Sequence, residues 1–243
     1  MERIQTGITG LDEMIGGGYP KGRTMLVLGM TGSGKTILGL SFIHKACMEG
    51  RKSLIIATEE LPGDVIAQSG SVGMDLEEFN KNGLLGIDKV YEERTGHAKE
   101  LLAYGITDTD KLQSNIIGLL ERIPRDVESV LIDNLGVFTL NMSANEFRSQ
   151  IDSLVAGLTK RNITALLIMD LSADNRTENI ASYSVYGVLR TSIKDNPFTG
   201  ARERLLEVLK IRNTKISLSP IMFEITSKGI EFLKKGTGEI HGK

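Results

Sequence analysis

The sequence predicts an α/β fold: a mostly parallel central sheet covered by helices, with antiparallel strands at its C-terminal end. Three observations predict it. Short, wholly apolar runs alternate with longer helix-compatible stretches between residues 24 and 170, the pattern of strands buried on both faces. A Gly-rich turn joins the first of these runs directly to a helix. After residue 185 strand-like runs follow one another without helices between them, which extends a parallel sheet by an antiparallel edge.

The elements follow in order. "TMLVLG" (24–29) is a buried strand. "KTILGLSFIHKACMEG" is a helix carrying Ile37, Leu38, Leu40, Phe42 and Ile43, stopped by Gly50. "SLIIAT" (53–58) is a second buried strand, "PGDVIAQSGSVGM" a helix, and "GLLGID" (83–88) a short strand. Residues 89–107 are polar and mixed and are read as a mobile loop. "TDKLQSNIIGLLERI" (109–123) is an amphipathic helix capped by Thr109 or Asp110 and ended before Pro124. "ESVLID" (128–133) is a strand. "SANEFRSQIDSLVAGLTKRN" (143–162) is a helix with Ser143 and Glu146 in capping-box spacing. "ITALLIMD" (163–170) is a strand, and "YGVLRTSI", "RERLLEVLKIRN" and "SPIMFEIT" are the last three. One domain over residues 1–243 is expected, with a flexible tail at 234–243.

Composition narrows the function classes. The net charge is −2 and aromatics are 5% with no Trp, which disfavours nucleic acid as the main partner, although a local basic patch stays open. No apolar run approaches the roughly 18–20 residues that span a membrane. Cys47 is the sole cysteine, so no internal disulfide forms, and a cytoplasmic location is expected. "MERIQTGITG" does not read as a signal peptide. His44, His97 and His241 lack metal-ligand spacing.

"GMTGSGKT" (29–36) matches G-x-x-x-x-G-K-[ST] in full, between a buried strand and a helix. The chemistry explains the pattern. Gly29, Gly32 and Gly34 let backbone wrap phosphate without Cβ clashes. The backbone from Met30 and Thr31 through Ser33, with the helix N-terminus, presents N–H groups to an anion. Lys35 is expected to reach the β- and γ-phosphates of ATP, and Thr36 to coordinate Mg2+ through its hydroxyl. Such a site needs an acid at the end of another strand to hold the metal. Asp133 is favoured for its offset from the turn, and Asp170 is the rival, expected nearer the rim.

"IIATEELP" (55–62) ends a strand in Glu59 and Glu60. Ligands in open α/β sheets sit beyond the C-terminal strand ends, so a carboxylate there could deprotonate an attacking water. The plainer reading is that Thr58 caps a helix whose dipole the two acids complement. Spacing leaves both open. Lys210 and Arg212 are two apart in a strand and so share a face. A solvated basic strand face with Arg202 and Arg204 is the plainer reading there.

"TGITGLDEMIGGGYPKGRTMLVLGMTGSGKT" resembles the opening of the KaiC-type branch of RecA-like ATPases. The resemblance continues through "SLIIATEELPGDVIAQSGSVGMDLEEF", "SVLIDN" and "RLLEVLKIRNT", and covers roughly residues 4 to 233. It implies a RecA-like P-loop core and ATP hydrolysis, with Glu59 as general base and Glu60 supporting it. It implies ring oligomers, usually hexamers, with nucleotide between subunits and Lys210 and Arg212 reaching the neighbour's γ-phosphate. Arg190 could contact base or ribose. The circadian clock protein of this family has two such domains and a Ser-Thr phosphorylation pair. This chain has one domain and offers Ser182, Tyr183 and Ser184 instead, so autokinase activity is not favoured. The leading function is a slow, ring-forming regulatory ATPase with an unidentified protein partner. The alternatives are a nucleotide-gated partner-binding module and a recombinase-like accessory protein acting on DNA.

Overall fold

A computed structural model describes residues 1–90, 116–139, 142–171, 175–197 and 199–233. Residues 91–107 of the expected loop, the start of the helix expected over 109–123 and the tail at 234–243 lie outside the described residues. The described elements are β1 (Arg3–Ile4), α1 (Thr9–Met14), β2 (Tyr19–Pro20), β3 (Thr24–Gly29), α2 (Lys35–Met48), β4 (Ser53–Ala57), α3 (Pro62–Ser71), α4 (Leu76–Lys81) and β5 (Leu85–Lys89). They continue with α5 (Leu119–Arg122), β6 (Ser129–Asp133), α6 (Ala144–Lys160), β7 (Thr164–Asp170), α7 (Asn175–Ser184), β8 (Gly187–Asp195), β9 (Arg202–Ile211), β10 (Ile221–Thr226) and β11 (Gly229–Phe232).

The α/β class and the mostly parallel sheet with antiparallel C-terminal strands are observed. Among the described residues a nine-stranded sheet runs β11-β10-β9-β8-β3-β7-β6-β4-β5. From β5 to β8 the neighbours are parallel, and β9, β10 and β11 add antiparallel pairs. The first run after residue 185 is therefore parallel, not part of the antiparallel edge. The reason is α7, a crossover helix absent from the sequence reading. "NRTENIASYS" buries only Glu178 and Ala181, so it shows no apolar stripe. The short β1–β2 ribbon, α1, α4 and the four-residue β11 were also not legible, being too short to carry a period.

Side-chain alternation splits the core into two layers. Val27, Ile55, Leu131 and Ile168 face one way, against Ile37, Leu40 and Ile43 of α2. Leu28, Ile132 and Leu167 face the other way, against Phe147, Ile151, Leu154 and Leu158 of α6. The stripe on α6 repeats at helical spacing, which is why the sequence displays it plainly. Ser143 caps α6 by accepting the Glu146 backbone N–H at 3.2 Å. The Glu146 carboxylate accepts instead from Gln150 at 3.3 Å, so Ser143 carries the cap. Ser143→Ala is expected to lower stability by about 1 kcal/mol, read as a shifted denaturant midpoint at unchanged slope.

Candidate active site

Strand order assembles this site. The C-terminal tips of β3, β7, β6 and β4 lie side by side and deliver, in that order, the Gly-rich turn, Asp170, Asp133 with Asn134, and Thr58 with Glu59 and Glu60. A cavity of about 340 Å³ opens above them. The turn contributes Thr31, Gly32, Gly34, Lys35 and Thr36 to its wall. Glu59, Glu60, Asp133, Asn134 and Asp170 supply the acidic and amide groups. Gly29, Met30 and Ser33 shape the turn but are not among the residues lining the cavity.

The turn is shaped for a close backbone approach. Gly34 sits at φ 96°, in the left-handed region, immediately before α2. A Cβ at Gly29 would come within 2.2 Å of the Thr191 hydroxyl, so only glycine fits there. Ser33 is buried and serves the loop itself, donating to the Met30 carbonyl at 2.6 Å and meeting the Thr191 hydroxyl at 2.7 Å. Lys35 is buried. Its ammonium pairs with Asp170 at 2.6 Å and donates to the Met30 carbonyl at 2.9 Å.

The Thr36 hydroxyl donates to Asp133 Oδ2 at 2.8 Å. These two oxygen donors, on elements far apart in sequence, face one cavity. Hard oxygen donors of this kind suit Mg2+, which keeps several waters and needs few protein ligands. Among the described residues no group of three or more His, Cys, Asp and Glu side chains is placed to hold a metal by itself. The pair therefore fits a metal that shares its coordination with phosphate and water.

Burial is the main cause pushing the Asp133 carboxyl up to about 6, with Glu60 and Glu59 adding to it and Thr36 and Lys35 opposing. The folded chain thus holds this proton more tightly than the unfolded chain does. Without nucleotide or metal, that contribution to stability is present at low pH and is lost as pH rises through about 6. Asp133→Asn removes the buried charge and keeps an oxygen for Thr36. At pH 7.5 it is expected to stabilise the ligand-free protein by about 2–3 kcal/mol. The gain should shrink toward zero near pH 4, as read from denaturant unfolding at both values.

Thr58 does not cap a helix. Its hydroxyl accepts the Asn134 N–H at 2.8 Å and donates to the Asn134 carbonyl at 3.1 Å, tying the tips of β4 and β6 together. The next helix starts at Pro62 and carries Asp64 in its first turn, so Asp64 complements that dipole. Glu59 and Glu60 are thereby left in the cavity wall. Glu59 is exposed. Glu60 is half-buried, and its carboxyl is raised by burial and then by Asp64 and Glu59, with Lys89 and a hydrogen bond from Gln68 opposing.

Asp170 lies in register with Gly29, because β7 sits between β3 and β6. It ends β7 with its side chain 38% exposed, as expected, and also lines the cavity beside Lys35. Strand order cannot be read from local pattern: the chain runs from β3 past two strand positions to β4, and β7 later fills the one beside β3. Gln68 and Ile225 also line the cavity and were missed by sequence reasoning. Gln68 reads as an ordinary helix-surface amide, and Ile225 belongs to the antiparallel edge. Neither carries a sequence signal.

Lys210 and Arg212 are not brought to this cavity. Lys210 pairs with Val188 while Thr191 pairs with Gly29, so Lys210 lies about 10 Å below the turn along the sheet. Arg212 lies further still and donates to the Tyr183 carbonyl at 3.0 Å. A bulge near this point puts Lys210 opposite Val188 but Val208 opposite Leu189. It breaks the alternation of Leu206 and Val208, which both point into the core, and leaves Lys210 half-buried and Arg212 exposed. Arg204, nearer the other end of β9, donates to the Gly32 carbonyl at 3.1 Å. Arg190 pairs with Leu28 and Glu207 across the sheet and is not among the cavity residues. Tyr183 is exposed, and Ser184 bonds Asp152, both at the end of α7 that leads into the start of β8. No described helix is long and apolar enough to cross a membrane.

Comparison with known proteins finds relatives along nearly the whole chain. The family model described as "ATPase: KaiC" matches residues 4–237. A UPF0273 protein of Methanopyrus kandleri is 30% identical over 237 residues, covering 95% of this chain and 91% of the relative. The circadian clock oscillator protein KaiC of Parathermosynechococcus lividus is 28% identical across 94% of this chain, which spans 40% of that protein. A crystal structure of a KaiC-like protein from Pyrococcus horikoshii superposes with a TM-score of 0.75 at 25% identity, covering 96% of this chain and 99% of the other.

Proposed function

This chain belongs to the KaiC family of ATPases, and from that premise we propose that it binds Mg2+-ATP at the tips of β3, β7, β6 and β4 and hydrolyses it slowly as a ring-forming regulator. The observation that carries the reading is the Thr36–Asp133 contact at 2.8 Å in a cavity that also holds Lys35, Glu59 and Glu60. Cradle, cation, metal-holding oxygens and candidate base are the parts that phosphoryl transfer to water needs.

The geometry supports the following roles. Backbone N–H groups of the turn bind the phosphate chain, and Lys35 neutralises its terminal oxygens. Thr36 and Asp133 would hold the metal, which would offset the negative charge that develops on the phosphate. Glu59 orients a water and takes its proton, and Glu60 steadies that carboxylate from the wall. Lys210 and Arg212 sit too far along the sheet to serve their own cavity. They support a head-to-tail ring, usually a hexamer in this family, in which they reach a neighbour's γ-phosphate. Dividing the site between subunits would make hydrolysis depend on assembly and keep an isolated subunit slow.

Phosphate release by wild type, Lys35→Ala and Glu59→Gln tests this. Glu59→Gln is expected to fall by about 10²–10³-fold and Lys35→Ala at least as far, and equal rates in all three proteins would overturn the reading.

A further inference from the structure

Lys35 keeps its ammonium between two oxygens, and they differ in origin. The Met30 carbonyl, at 2.9 Å, belongs to the cradle itself. Asp170, at 2.6 Å, arrives from the tip of β7. The Lys35 side chain is 8% exposed, so this ion pair forms where water screens it poorly. The other Asp170 oxygen accepts the Asn134 side-chain amide. The Asn134 amide oxygen in turn accepts the Gly136 N–H at 2.7 Å, which fixes the orientation of that amide. Asn134 is tied by its backbone to Thr58, the residue before Glu59. A hydrogen-bonded chain therefore links Lys35 to the neighbour of the candidate base across the tips of β7, β6 and β4.

A phosphate oxygen approaching Lys35 meets a cation that already has an anion. It must displace Asp170 or share the ammonium with it. In either case the Asp170 carboxylate ends close to negative phosphate, and like charges at that range oppose one another. Without phosphate the same carboxylate keeps the buried ammonium paired and aimed into the cradle, where an unpaired charge would be costly.

We infer that Asp170 is a positioning residue that competes with nucleotide phosphate for Lys35 and so sets nucleotide affinity and exchange; this rests on the proposed nucleotide binding. Asp170 thereby acts through Lys35 and not as a second metal carboxylate.

Asp170→Asn removes the charge while its amide oxygen still accepts from Asn134. Titration of the full chain with a fluorescent ADP analogue, in EDTA and again in Mg2+, reads the effect. The variant is expected to bind roughly tenfold more tightly in both buffers. Steady-state hydrolysis should show the gain as a lower KM, not as a higher kcat. Asp170→Ser, also neutral and able to accept from Asn134, should tighten likewise and serves if Asp170→Asn does not fold. Unchanged or weaker binding by the folded neutral variants overturns the inference, and weakening confined to Mg2+ makes Asp170 a metal ligand instead. If wild type and Lys35→Ala both fail to bind, the nucleotide reading falls as well. If wild type binds and the neutral variants do not tighten, only the competition is wrong.

Discussion

Glu59→Gln should slow steady-state phosphate release by about 10²–10³-fold, and Glu60→Gln by only about tenfold. Both carboxylates line the cavity. Their surroundings differ. Glu60 is half-buried beside Asp64 and engaged by Gln68, so part of its capacity to accept a proton is committed. Its raised carboxyl is the one property that favours it as a base, because a base titrating nearer neutrality accepts a proton more readily. Glu59 is exposed at the cavity wall, free to rotate toward a water, and a glutamine there keeps the shape and loses the basicity. Binding of a fluorescent ATP analogue should change less than about threefold in either variant, which separates lost chemistry from lost affinity. The opposite order of rates would move the general base to Glu60 and leave the site where it is.

Arg212→Ala should lower hydrolysis by about 10³-fold although every residue of its own cavity is untouched. An equimolar mixture with Glu59→Gln should then recover activity that neither protein has alone. In a head-to-tail ring each site takes Glu59 from one subunit and Arg212 from the next. If subunits exchange at random, about a quarter of the interfaces pair an intact Glu59 with an intact Arg212, so about a quarter of wild-type activity should return. Recovery no greater than the sum of the two parents would place Arg212 outside the reacting site. Register puts Arg212 beyond reach of its own cavity. β9 runs antiparallel to β8, so its C-terminal end lies at the opposite end of the sheet from the Gly-rich turn.

Much of the fold was legible because its signals are local. "TMLVLG", "SLIIAT", "SVLID" and "TALLIMD" are apolar throughout since they are buried on both faces, and each became a strand at nearly the expected bounds. The α6 stripe and its Ser143 cap lie within one helix. α7 was not legible because it covers the sheet with a polar sequence and little apolar area. The alternative for Thr58, a helix cap, was reasonable chemistry for a threonine at a strand end. It lost because β6 lies next to β4 and offers both a donor and an acceptor at Asn134.

The Gly-rich turn, its neighbouring acids and the alternation that makes an α/β sheet are written locally in the chain. These depend on residue type and spacing over a few positions, and glycine, lysine and carboxylate chemistry do not change with context. The order of the strands emerges only in the folded molecule. That order places β7 between β3 and β6, brings Asp170 onto Lys35, and sets Lys210 and Arg212 at the far end of the sheet. Strand order follows from crossover connections and from which apolar faces pack together across the whole core, and no local window of sequence contains that information.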